Sequence, residues 1–278
     1  MKASIPQGGC ISANLFALYI NDIGKKLRKI GVKFALFADD VTIWYSHKNT
    51  KKIERKLQLA TNTLSEYAKK WSMKLNVLKT NYILFQKKYL TKFNPYHELS
   101  IKLDDKKIDK SNNPILLGIT LDRHMDFDEH FHQLNNTITS KSNLIRILSS
   151  KMYNINPHHL ITIYKSFIVS KIQYSMLPYI VTSKKNRQKL QVTQNNILKV
   201  ILRLPRLTNT KLLHQITNTE TLNQRIFSLA IKYISNAFTN DIKQVTQLVA
   251  RLTNNKLPFK GSRNYSCIDA LYPNKQRL

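Results

Sequence analysis

Acidic residues are the scarce commodity of this sequence: 16 Asp plus Glu face 45 Lys plus Arg over 278 residues, a net charge of +29. The shortage is uneven. Residues 1–130 carry 23 basic and 13 acidic side chains, and residues 131–278 carry 22 and 3. From Phe131 to Thr219 there is no Asp or Glu, while nine Lys and four Arg stand there. A surface charged only for solubility mixes the signs; a one-signed field draws polyanions, nucleic-acid phosphates above all. Cysteine is scarce too. Cys10 and Cys267 alone exclude a disulfide framework and a Cys-ligated zinc site, and read as reduced intracellular thiols. Long apolar runs are missing: Leu15 to Ile20 and Phe34 to Ala38 fall far short of a membrane span. Met1-Lys2 leads straight into a Pro6-Gln7-Gly8-Gly9 turn rather than the apolar stretch of a signal peptide. The expectation is an intracellular protein of the cytoplasm or nucleus, not secreted and with no membrane partner.

Hydrophobic residues make up 42% of the chain, too many for a disordered polycation, and the length suits one or two domains. Phe16, Tyr19, Ile23, Leu27 and Ile30 recur at steps of three and four, predicting a helix that Ser12 caps and Gly31 ends. Val32 to Phe37 and Val41 to Tyr45 read as the arms of a β-hairpin with Asp39-Asp40 at its turn. A second helix runs from Thr50 to Trp71, with Ile53, Leu57, Leu64, Tyr67 and Trp71 on one face. Leu75, Tyr82 to Phe85, Leu99 to Leu103 and Ile115 to Leu121 are candidate strands, with Asp104-Asp105 at a turn.

From Asp126 onward the pattern is helical. Asp126 or Asp128 suits the cap of a helix carrying Phe131, Leu134, Ile138, Ile145 and Leu148, and Pro157 the first turn of a helix through Tyr179. Ser183 suits the cap of a third, running to Leu204 ahead of Pro205, and shorter helices fill Thr210 to Leu252. The reading is α+β first and all-helical afterwards, with a loosely ordered tail from Leu257.

Asp39-Asp40 is the sharpest chemical feature. Adjacent carboxylates on a tight turn repel unless a cation sits there, and their oxygens suit Mg²⁺, which takes one or two carboxylates plus water and phosphate. Taken alone, the dipeptide is ordinary turn chemistry. Its surroundings change that. Ile5-Pro6-Gln7-Gly8-Gly9, then Tyr19-Ile20-Asn21-Asp22-Ile23, then Phe37-Ala38-Asp39-Asp40 resemble, in order and spacing, the reverse transcriptases of non-LTR retrotransposons. Leu75-Asn76-Val77-Leu78-Lys79-Thr80 and Leu117-Gly118-Ile119-Thr120-Leu121-Asp122 extend the likeness. Ile163 to Phe167 and Leu202-Arg203-Leu204-Pro205 resemble the helical region of jockey-like elements, so the resemblance spans about residues 4–230.

The resemblance implies a right-hand polymerase: the C-terminal part of a palm over residues 1–125, a helical thumb and C-terminal region over 126–256, and the tail 257–278. It implies that Asp39 and Asp40 are catalytic and bind Mg²⁺ in a two-metal phosphoryl transfer. Gln7, Gly8 and Phe37 would face the incoming nucleotide and template, and Lys79 would sit by the leaving pyrophosphate. The substrates would be an RNA template, a DNA primer and deoxynucleoside triphosphates. Lys141, Arg146, Lys184, Lys185, Arg187, Lys189, Arg203 and Arg206 are the candidates for gripping the nucleic-acid backbone. Tyr153, Tyr164, Phe167, Tyr174 and Tyr179 read as core rather than as base-stacking rings.

The family's fingers and the strand bearing its first catalytic Asp precede the Pro-Gln-Gly loop, which here begins at Pro6. The expectation is an N-terminally truncated fragment with an incomplete two-metal site and no extension activity alone. The alternative is a catalytically inactive nucleic-acid-binding remnant.

Overall fold

The computed structural model describes residues 9–86, 98–243 and 245–247. It is a mixture of helices and small sheets, dividing into two compact units, Met1–Pro114 and Ile115–Leu278.

In the first unit, α1 (Ser12–Ile30) ends where Gly31 turns left-handed at φ 81° and donates its N–H to the Arg28 carbonyl. Ser12 is the first helical residue rather than the cap; Ile11 holds that position. Strands β1 (Lys33–Phe37) and β2 (Asp40–Trp44) form an antiparallel hairpin in which Phe34 faces Ile43 and Leu36 faces Val41. Helix α2 (Thr50–Lys70) starts at Asn49, whose side chain accepts the N–H groups of Lys51 and Lys52. Ile23 and Leu27 of α1, Val32, and Ala60 and Tyr67 of α2 make the core beneath the hairpin. Trp71, expected on the buried face of α2, is the C-cap and 37% exposed.

The remaining strands of this unit are short: β3 (Asn81–Tyr82), β4 (Lys102–Leu103), β5 (Lys106–Lys107) and β6 (Asp109–Lys110). Leu75 lies outside any strand, and the expected strands Tyr82 to Phe85 and Leu99 to Leu103 shrink to their ends. Asp104 and Asp105 do form the turn between β4 and β5, with φ of 48° and 61°. Ile53, Leu99, Ile101, Leu103 and Ile108 form a second small core.

The second unit opens with β7 (Ile115–Leu116) and β8 (Ile119–Thr120), paired antiparallel. The sequence suggested one strand here; Leu117 and Gly118 adopt φ of 48° and 77° and fold it into a hairpin. It belongs with the helices because Ile119 and Leu121 pack on their core. The Thr120 N–H also donates to His130 Nδ1 at 3.3 Å.

Helix α3 (Asp128–Leu148) is capped by neither Asp126 nor Asp128; Phe127 precedes it at φ 61°. The Asp122 carboxylate fixes this entry by accepting the N–H groups of His124, Asp126 and Phe127. The predicted helix from Pro157 to Tyr179 is three helices: α4 (Pro157–Tyr164), α5 (Ser170–Tyr174) and α6 (Met176–Val181). A π-turn, Lys165–Val169, joins α4 to α5. The break at Ser175 follows from Pro178, whose ring and missing N–H cannot continue the α5 ladder. Helices α7 (Lys184–Ile201), α8 (Thr210–Ile216) and α9 (Leu222–Thr239) follow. Ser183 caps α7 as expected, but α7 stops at Ile201, short of Leu204. The core runs from Phe131, Ile138 and Ile145 through Leu160, Ile168 and Ile172 to Leu190, Leu198 and Ile226.

Candidate functional site

The β1–β2 hairpin alternates. Phe34, Leu36 and Ile43 turn toward the α1–α2 core, while Lys33, Ala35, Phe37, Asp40 and Trp44 lie exposed. Leu36 is partnered by Val41 and Phe37 by Asp40, so only Ala38 and Asp39 make the connection. Ala38 sits at φ 48°, a left-handed conformation that disfavours a side chain, and its cost is borne at the hairpin tip.

Asp39 and Asp40 are both exposed, but they sit differently. Asp39 lines a cavity of about 290 Å³ whose walls are Phe16, Ile20 and Ile23 of α1, Val41 of β2, Leu64, Tyr67 and Ala68 of α2, and Met73, Lys74 and Leu75. Asp40 is outside that lining and lies opposite Phe37, which is 63% exposed.

The cavity walls are held by an aromatic clamp between α1 and α2. The Tyr67 hydroxyl donates to the Tyr19 carbonyl at 2.7 Å, and the Tyr19 hydroxyl donates to the Trp71 carbonyl. The Tyr19 and Trp71 rings meet edge to face at 5.1 Å. Burial, then the negative charge of Asp22, raises the Tyr67 pKa above that of an ordinary tyrosine, so this donor keeps its proton.

Lys79 ends the one-turn 3₁₀ segment Val77–Lys79, where its N–H donates to Asn76 Oδ1 at 3.2 Å. Its side chain is exposed and outside the cavity lining. Lys74 is the basic residue in that lining. Sequence reading passed over Lys74; the available signal was its place between α2 and the Leu75-Asn76 segment. Gln7 and Gly8 lie outside the described residues. Among the described residues no group of three or more His, Cys, Asp and Glu side chains comes together to hold a metal ion. Two adjacent exposed carboxylates fit one Mg²⁺ whose other positions go to water and phosphate, and do not by themselves supply two ion sites.

The basic residues of the second unit divide into groups. Lys184, Lys185 and Lys189 are exposed on the first turns of α7, with Arg187 half-buried among them. Lys185 and Lys189 share with Asp128, His132 and Asn135 of α3 a cavity of about 290 Å³. Arg203 is committed elsewhere: its Nε donates to the Ser149 carbonyl at 3.1 Å and its Nη2 to the Ser150 carbonyl at 3.3 Å. Arg146 donates to Asn143 Oδ1 at 3.4 Å, and Arg206 is exposed. Lys141 reaches the Phe167 carbonyl at 3.0 Å.

The aromatic residues split as well. Tyr164 and Tyr179 are buried core, and burial, partly offset by Arg187, pushes the Tyr179 hydroxyl up to about 12. Tyr153, Phe167 and Tyr174 are 49%, 50% and 63% exposed, against the expectation that they join that core.

Residues 1–121 match the family model for reverse transcriptase (RNA-dependent DNA polymerase). The chain is 24% identical over 240 residues to a probable RNA-directed DNA polymerase from transposon BS of Drosophila melanogaster, covering 84% of this chain and 26% of the relative. It is 24% identical over 203 residues to that from transposon X-element of the same fly, covering 72% and 22%. The RNA-directed DNA polymerase from its mobile element jockey is 22% identical over 239 residues, covering 84% and 25%. The chain thus spans about a quarter of the length of the curated relatives it matches. No solved structure matches it. No described helix is long and apolar enough to cross a membrane.

Proposed function

We propose that this chain is part of a non-LTR reverse transcriptase and that its Asp39-Asp40 hairpin is the metal-holding edge of an RNA-directed DNA polymerase site. The observation that carries this reading is Asp39, a carboxylate at a hairpin tip bordering a clamped cavity inside the family match. The substrates are an RNA template, a DNA primer and deoxynucleoside triphosphates. Mg²⁺, when bound, neutralises phosphate charge and acidifies the primer 3′-hydroxyl. Asp39 and Asp40 would hold it, Phe37 would meet the nucleotide or template from the exposed face of β1, and Lys74 or Lys79 would meet the pyrophosphate charge. Gln7 and Gly8 enter through the family resemblance alone.

On this reading residues 1–125 are palm and 126–256 are thumb and C-terminal region. The thumb's backbone grip falls to Lys184, Lys185 and Lys189, exposed on the first turns of α7, with Lys141, Arg146 and Arg206, while Arg203 braces the segment just past α3. A second reading, a nucleic-acid-binding protein without chemistry, is favoured by the two-carboxylate donor set.

Mn²⁺ titration followed by electron paramagnetic resonance, with a deoxynucleoside triphosphate present, tests the site. One ion binds per chain and Asp39→Asn weakens it at least about tenfold; an unchanged affinity overturns the polymerase reading. Primer extension on an RNA template gives no product from this chain alone, since two carboxylates provide for one ion. Robust extension would refute that donor-set argument.

A further inference from the structure

Two of the rings expected in the core stand outside it, about two turns apart on one helical run. Tyr164, Ile168 and Ile172 are all buried, at steps of four residues. Each such step overshoots a full α-helical turn by about 40°, and the wider π-turn at Lys165–Val169 absorbs the drift. The same adjustment leaves Phe167 and Tyr174 on the outside. Seven residues separate them, about 10 Å along the axis.

Neither ring is left to swing. Lys141 of α3 places its ammonium 5.4 Å from the Phe167 ring centroid while bonding that residue's carbonyl at 3.0 Å. The Tyr174 hydroxyl donates to the Leu117 carbonyl across the β7–β8 turn. There Gly118 lies against the ring, where a Cβ would make only ordinary contact with Tyr174 Cε1 at 3.5 Å, and its φ of 77° is what favours glycine. Lys165 and Lys171 are exposed on the same run, within the acid-free stretch from Phe131 to Thr219.

Exposed rings held rigid beside unopposed cations are the two elements of single-strand recognition. Bases of any identity stack on the rings while cations follow the phosphates. In a paired duplex the base faces are already covered. We infer that Phe167 and Tyr174, flanked by Lys141, Lys165 and Lys171, form a stacking platform for single-stranded nucleic acid. This rests on the nucleic-acid reading above and narrows it: here the partner is an unpaired strand rather than a duplex.

The test is fluorescence anisotropy on the full chain, with a labelled oligo(U) of about 12 nucleotides and an RNA duplex of similar length. Phe167→Ala and Tyr174→Ala each weaken oligo(U) binding about tenfold and leave duplex binding within about twofold. Phe167→Trp and Tyr174→Phe, which keep a ring, retain oligo(U) binding. The alanine variants keep the parent's salt slope because no phosphate contact is lost, whereas Lys165→Gln with Lys171→Gln flattens it. Both rings are exposed, and an unchanged far-ultraviolet circular dichroism spectrum checks the fold. Unaltered oligo(U) affinity in both alanine variants overturns the platform, and so does an equal loss on duplex. If the parent chain binds neither probe at low salt, the nucleic-acid reading itself fails and the platform with it.

Discussion

At the scale of single residues, two neighbours in sequence have different surroundings. Asp39 borders the cavity between α1 and α2, whereas Asp40 begins a strand on the hairpin's exposed face. The two carboxylates are therefore unequal: Asp40→Asn is expected to weaken Mn²⁺ by about threefold, against at least about tenfold for Asp39→Asn, because adding one water ligand compensates more readily on an open face. The paired titrations measure this directly, and equal losses would remove the distinction. His130 carries a second residue-level consequence. Its Nδ1 accepts the Thr120 N–H, so its Nε2 proton goes to Ser175 Oγ at 2.9 Å, and the ring is buried in the neutral form. Burial first, and then the charge of Lys171, lowers its pKa from 6.5. A lowered histidine pKa means that the unfolded chain takes up the proton first as pH falls. Stability from this group is complete above about pH 6.5 and declines below it, by at most about 1.4 kcal/mol per pH unit. Urea unfolding at pH 7 and pH 5 reads the slope, and His130→Gln should flatten it.

At the scale of elements, regular patterns were legible and departures from them were not. Period announced α1, the hairpin and α2, and Gly31 and Ser183 marked an end and a start, because each acts through bonds to its immediate neighbours; the Asn49 cap of α2 was not read from the sequence. The π-turn, the break at Ser175 and the β7–β8 hairpin depend on what packs against them, and an apolar list spaced by fours fits a straight helix equally well. The site divided the same way: Asp39-Asp40 was plain in the motif, but Lys74 enters the cavity only through the turn after α2. Arg203 is the instructive case. Its charge suggested a phosphate contact, and the structure commits two of its donors to the Ser149 and Ser150 carbonyls just past α3. Arg203→Ala should cost about 2 kcal/mol in denaturant unfolding, since charge-assisted bonds are the stronger kind. It should change RNA affinity little, whereas Arg206→Ala should lower RNA affinity and leave stability unchanged within about 0.5 kcal/mol.

At the scale of the whole molecule, a net charge of +29 makes association with RNA a question of ionic strength before it is one of contact geometry. The second unit matters most, because from Phe131 to Thr219 it holds thirteen Lys and Arg and no Asp or Glu, and each phosphate met releases condensed counterions. If about six phosphates are engaged, affinity for a single strand should fall by roughly 10²- to 10³-fold between 50 and 200 mM salt. The exposed lysines on the first turns of α7 are the largest such group on one element of the second unit, so replacing Lys184, Lys185 and Lys189 together by Gln should shallow the logarithmic slope by about 2. Replacing Lys25 and Lys69 should not, because each already faces a carboxylate, Asp22 at 3.2 Å and Asp104 at 3.6 Å. Anisotropy titrations at four salt concentrations separate the cases. A slope unmoved by the α7 triple variant would shift the grip to another face, whereas a slope near zero in the parent chain would deny the charge its role altogether.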